Sequence, residues 1–292
     1  MDWEGKAESS NVEDRRGNAG PAVAAGGGLV TIIAVALAYF MGIDPNKAKQ
    51  IAGGIANQVG GAGQRQNAPP TNDVHLRFSK AILGMTETVW SNIFQQEYRK
   101  PYEKPGMVLF ANQVDSEGCG IAPSAVGPFY CPASRKVFLD PDFFNELEAK
   151  LGGDSGDASR AYVIAHEVGH HIQNLLGYNA MVDSFRKREG ENGGIRLELQ
   201  ADYLAGVWAH HAEQRFGTIF DRGDLQSIIK TAQSIGDDRI QKKMKGKAWP
   251  ESFNHGKAEQ RLKYFLEGMK TGDARKQSLD RFFNQNVAPL DL

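Results

Sequence analysis

The apolar residues fall into several patterns along the chain, and each predicts a different element. Residues 23–43 form a run of Ala, Val, Leu, Ile, Gly, Phe and Met in which Thr31 and Tyr39 are the only polar handles. From Asp73 to Gln96, Leu76, Ile82, Leu83, Met85, Val89, Trp90, Ile93 and Phe94 recur at helical spacing and predict one long helix. Three short runs follow: 107–110, 127–130 and 136–139. They read as strands, the last two forming a hairpin around Pro132 to Arg135, with Pro128 placing its strand at an edge. The stretch 161–176 is apolar nearly all round, with Asp157 as a candidate N-cap and Gly177 as the stop, so a buried helix is expected. A second buried helix, 198–209, follows Gly193 and Gly194, with the small residues Ala201, Ala205, Gly206 and Ala209 along one side. Helices at 224–245 and 257–270 complete the chain.

These patterns divide the 292 residues into four parts. Residues 1–22 are polar and predict disorder. At about 1.5 Å per residue, 23–43 is long enough to cross a hydrocarbon core of about 30 Å as a single transmembrane helix. A cleavable signal peptide fits less well, because Asp2, Glu4, Glu8, Glu13 and Asp14 oppose the usual positive leader. A buried core helix would stand alone before residues 44–72, which read as a flexible linker containing Pro69 and Pro70. Residues 73–292 make the folded domain. Flanking Lys and Arg are too even to orient the span.

Composition adds little to this division. The chain is 41% apolar with a formal net charge of −1, so nothing points to nucleic acid as a partner. Cys119 and Cys131 are the only cysteines, and their spacing is not that of a zinc ribbon. They are either a disulfide tying a loop to the hairpin or two buried thiols. The disulfide is preferred, and with it a domain outside the cytoplasm.

Candidate chemistry sits in the first buried helix, where His166-Glu167-Val168-Gly169-His170 is an H-E-x-x-H pattern. Helical geometry puts the two imidazoles about 40° apart and one turn apart, able to point at one zinc ion, with Glu167 beside it as general base for an activated water. Unpaired, these polar groups would be costly inside such a helix. A third ligand is needed, and Glu198 is the best candidate. Asp202, one turn later, suits the N–H of a ligand histidine, His166 being the expected partner. His171 points about 100° away from His170 and reads as a surface or supporting residue; His210 and His211 read as helix-end caps.

The stretches 11–17, 127–132, 161–177, 198–202 and 252–256 together resemble the bacterial neutral zinc metallopeptidases, membrane-anchored proteins similar to gluzincins. The resemblance implies an α+β, zincin-like and mostly helical domain with a small sheet. It implies zinc held by His166, His170 and Glu198, with Glu167 as base. It also implies one N-terminal span in the inner (cytoplasmic) membrane and a catalytic domain on the extracytoplasmic, periplasmic side. The expected partner is a polypeptide substrate lying along the sheet edge. His255, on the loop before the last predicted helix, is the candidate donor to the oxyanion, with Tyr130 and Tyr203 behind it. Two other functions fit the same motifs: a non-catalytic, zinc-stabilised binding module at the membrane, and a zinc amidase acting on cell-wall peptides.

Overall fold

Asp73 opens the long helix predicted from the 73–96 periodicity: its carboxylate accepts from the backbone N–H of His75 and Leu76, satisfying two of the donors a helix start leaves over. The computed structural model describes residues 1–17 and 73–292. In chain order the elements are β1 (Val12–Asp14), α1 (Val74–Ile93), β2 (Gly106–Leu109), β3 (Gln113–Asp115), β4 (Ile121–Pro123), β5 (Phe129–Cys131) and β6 (Lys136–Leu139). Then come α2 (Phe143–Glu146), α3 (Asp157–Leu176), α4 (Tyr178–Glu189), α5 (Ile195–Phe216), α6 (Arg222–Ser234), α7 (Asp237–Lys245), α8 (Ala258–Thr271) and α9 (Lys276–Asp280).

The sheet has the order β1-β2-β6-β5. β1, β2 and β6 run parallel, while β5 pairs antiparallel with β6 as the predicted hairpin and forms one edge. β3 and β4 make a separate antiparallel ribbon. The result is a mostly helical domain with a small sheet. The disulfide between Cys119 and Cys131 is present, fastening the loop after β3 to the edge strand β5.

Under the sheet, α3 is buried along most of its length and ends at Gly177, whose positive φ of 85° suits glycine. Gly156 caps its start, not Asp157, which is the first helical residue. α3 packs against α5, and α5 packs against α8. A Cβ on Gly169 would lie 3.0–3.3 Å from Ala201 of α5, so the glycine sets how closely the two helices meet. The single tail helix predicted at 224–245 is two helices, α6 and α7, separated at Ile235 and Gly236.

Two expectations need correction. Residues 1–17 are ordered: β1 adds to the sheet beside β2, and Trp3 is buried against Phe78 with its indole N–H on the Asp157 carboxylate. Their polar composition suggested disorder, yet a strand needs only backbone pairing on an available edge. The membrane anchor and the single-pass inner-membrane placement built on it are not supported either. Among the described residues no helix is long and apolar enough to cross a membrane, and the expected span, 23–43, lies outside them. The two flanks are joined as well: Arg16 bonds Asp73 at 2.9 Å, and Asp14 pairs with Leu109.

Candidate metal centre

Helix α3 presents His166 and His170 one turn apart on its inner face, their rings 4.8 Å apart and nearly perpendicular. Glu198, in the first turn of α5, faces both: His166 Nε2 lies 3.3 Å from Glu198 Oε2, and His170 Nε2 lies 3.5 Å from Glu198 Oε1. Among the described residues this is the group whose donor atoms converge as a metal set, all within 4.8 Å of one another. Two donors about 2.0–2.1 Å from one zinc in tetrahedral geometry lie about 3.3 Å apart. The two histidine–carboxylate distances, and the choice of two nitrogens and a carboxylate oxygen, therefore suit zinc.

Each ligand histidine is held from behind. His166 Nδ1–H donates to Asp202 Oδ1 at 2.8 Å, leaving Nε2 toward Glu198. The same oxygen accepts from Tyr162 Oη at 2.6 Å, and both Asp202 oxygens accept from Arg261, at 2.8 and 3.1 Å. His170 Nδ1–H donates to Gln173 Oε1 at 2.8 Å; the Gln173 amide donates in turn to Leu197 O and Gln200 Oε1. Such outer partners fix the tautomer and the ring plane of a ligand histidine.

Electrostatics follow from this packing. Burial disfavours the charged form of His166, but the Asp202 carboxylate outweighs it and carries the pKa to about 10. Burial likewise opposes charge on Glu198, yet His170 and His166 hold it well below the carboxylate range. Burial depresses His170. Glu167 is 7% exposed, and burial lifts its pKa to about 7; His166 pulls it back and Glu198 adds to the lift.

His255 lies near enough for its charge to be felt at both Glu167 and Glu198. Asp237, the first residue of α7, seats its loop. Its Oδ2 accepts the backbone N–H groups of Asn254, His255 and Gly256 at 2.7–3.0 Å, and its Oδ1 accepts His255 Nδ1–H at 3.0 Å. Burial works against the imidazolium, but Asp237 prevails and the His255 pKa is raised.

The remaining candidates stand elsewhere. Tyr130 Oη donates to His171 Nδ1 at 2.9 Å and receives the Asn174 amide, so it is engaged in holding β5 to α3. His171 is fully buried, not a surface residue, and its Nε2–H donates to Glu103 O. Tyr203 donates to Asp273 O and also meets the Thr271 hydroxyl at 3.3 Å, on α8. His210 and His211 bond Met269 O and Gly272 O, the helix-end role expected of them, though at the end of α8 instead of their own helix. Sequence reasoning missed Arg261, Tyr162, Gln173 and Asp237. For Gln173 a signal existed, since i, i+3 from His170 is a helix-surface neighbour.

Comparison with known proteins agrees with this centre. The family described as "Putative neutral zinc metallopeptidase" matches residues 1–282. The uncharacterized protein YpfJ of Escherichia coli is 38% identical over 287 residues, covering 94% of this chain and 96% of its own. The uncharacterized protein Rv2575 of Mycobacterium tuberculosis is 43% identical over 184 residues, covering 59% of this chain and 61% of its own. No solved structure matches significantly.

Proposed function

Because the chain belongs to the "Putative neutral zinc metallopeptidase" family, we propose that it is a peptidase of gluzincin type, with His166, His170 and Glu198 holding zinc and Glu167 as general base. The observation that carries this reading is the convergence of two imidazoles and a carboxylate, their donor atoms all within 4.8 Å of one another, with a buried carboxyl one residue from the first ligand. Zinc bound there supplies Lewis acidity toward water and the scissile carbonyl oxygen.

The chain's own residues supply the rest. Asp202 and Gln173 keep both imidazoles turned with Nε2 inward. Glu167, buried one residue from the first ligand, takes a proton from the attacking water and passes it to the leaving amine. His255, whose pKa Asp237 raises, donates a hydrogen bond from its protonated ring to the oxyanion of the tetrahedral adduct. A polypeptide substrate lies extended beside β5, the edge strand that packs on α3, and extends the sheet through backbone hydrogen bonds.

The test compares the full chain with Glu167→Gln for zinc content and for hydrolysis of an unstructured protein. One zinc per chain in both, with cleavage lost only in the variant, supports the peptidase. Zinc in both without cleavage in either favours a zinc-stabilised binding module, and no zinc in either overturns the metal site.

A further inference from the structure

Arg261 is 3% exposed and sits in the first turn of α8, six residues after His255. A cation so buried must be fully engaged, because desolvating a guanidinium is costly. Its Nε donates to Asp202 Oδ2 at 2.8 Å and its Nη2 to Asp202 Oδ1 at 3.1 Å, a two-point grip on the carboxylate that orients His166. Its remaining nitrogen, Nη1, donates to the Ile235 carbonyl at 3.3 Å. Ile235 ends α6 two residues before Asp237, and Asp237 carries the His255 loop. Backbone contact closes this circuit: Asp237 N–H donates to Gly256 O, and a Cβ on Gly236 would lie 2.3 Å from Ala258 N, where α8 begins.

We propose that Arg261 is a positioning residue that ties two parts of the site together, fixing His166 through Asp202 on one side and seating the His255 loop through Ile235 on the other. The planar fork makes this possible, since three nitrogens point in fixed directions from one carbon. A lysine can neutralise Asp202 but has a single point of attachment and cannot hold the carboxylate and the Ile235 carbonyl in the same geometry. The His166 arm stands on the metal site alone. The His255 arm rests on the peptidase reading above.

The test uses the full chain and zinc alone as the ligand, with affinity read by competition against a chromophoric chelator. Arg261→Gln should weaken zinc binding by about 10–100-fold, the usual effect of losing an outer partner of a ligand histidine. Arg261→Gln combined with Asp202→Asn should lose no more than Asp202→Asn alone. Arg261→Lys should bind zinc within a few-fold of the parent yet lose kcat on an unstructured polypeptide, at unchanged KM, as far as His255→Ala does. Adding His255→Ala to it should cost nothing further. Zinc affinity unchanged in a folded Arg261→Gln, or losses that add with Asp202→Asn, would overturn the His166 arm. Should Arg261→Gln not fold, Arg261→Met, which keeps the length and removes the charge and the fork, takes its place in the zinc measurement and in the pairing with Asp202→Asn. Full kcat in Arg261→Lys, or additivity with His255→Ala, would overturn the His255 arm. If the parent chain cleaves nothing, the peptidase reading and the His255 arm fail together, while the zinc measurements still decide the His166 arm.

Discussion

His255 is held by its own backbone as much as by its ring, since Asp237 gathers three consecutive N–H groups around it before taking Nδ1–H. Such a seat suits a residue that must donate a hydrogen bond at a fixed point. His255→Ala should therefore lower kcat by about 10²–10³-fold, the range for losing one oxyanion donor, while zinc content stays at that of the parent. His171 gives a second residue-scale expectation, of stability. Burial depresses its pKa below 6.5, so the folded state keeps it neutral while the unfolded chain takes up a proton. Stability from this residue is present above about pH 6.5 and is lost as pH falls from there through the folded value. Denaturant unfolding of the metal-free chain across that range should show a shallower pH slope in His171→Gln. At this scale His166, Glu167 and His170 were legible because four-residue spacing on a helix is a geometric statement. Glu198 and Asp202 were legible as a carboxylate pair one turn apart. Arg261 was not, for its contact with Asp202 spans 59 residues and leaves no mark on the local pattern.

Small residues along one side of α5 allow a neighbouring helix to come close, and the structure divides them between two partners. Ala201 meets Gly169 of α3, but Gly206 faces α8, where a Cβ would lie 2.1 Å from the Phe265 carbonyl, and Gly268 answers it against Tyr203. A sequence shows that a helix face is small; it does not show which neighbour exploits it, because that is decided by the path of the chain. The same limit applied at Gly236, which turns one predicted helix into α6 and α7 and so places Asp237 under His255. The α3–α5 contact bears directly on the metal, since Ala201 lies between Glu198 and Asp202 in the chain. Gly169→Ala puts a methyl group 3.0 Å from the Ala201 carbonyl oxygen and must push the helices apart or strain them. It should cost about 1–3 kcal/mol in unfolding experiments. It should also weaken zinc binding, because a shift of a few tenths of an ångström moves Glu198 relative to both histidines. A folded Gly169→Ala with parental zinc affinity would show that the ligands tolerate that movement.

Over the whole molecule the first seventeen residues belong to the domain that begins again at residue 73. Composition could not show this, because a polar segment that joins a sheet is recognised by the edge it meets and not by its own hydrophobicity. Ion pairs and hydrogen bonds such as Arg16–Asp73, Met1–Asp224 and Ser9–Glu87 hold it, together with one buried aromatic and one strand. Trp3, 5% exposed, meets Phe78 edge-to-face at 5.3 Å, places its indole N–H on Asp157 at the start of α3, and lies under the Arg77 guanidinium. β1 covers β2, so the sheet's two edge strands are the three-residue β1 and, on the side of the metal helix, β5. Without β1 the four-residue β2 would become the edge, a longer one for an extended chain to pair with. Removing the Trp3 anchor should therefore have two effects. Trp3→Ala should destabilise the chain by about 3–5 kcal/mol, the usual cost of deleting a buried aromatic, read as an earlier denaturant midpoint. As β1 loosens, the variant should also self-associate through the exposed β2 edge, read as larger species in sedimentation at rising concentration. Zinc affinity in the folded fraction should change little, since Trp3 reaches Asp157, more than two turns from His166 along α3. If Trp3→Ala unfolds at the parental midpoint, the N-terminal segment is not an integral part of this fold.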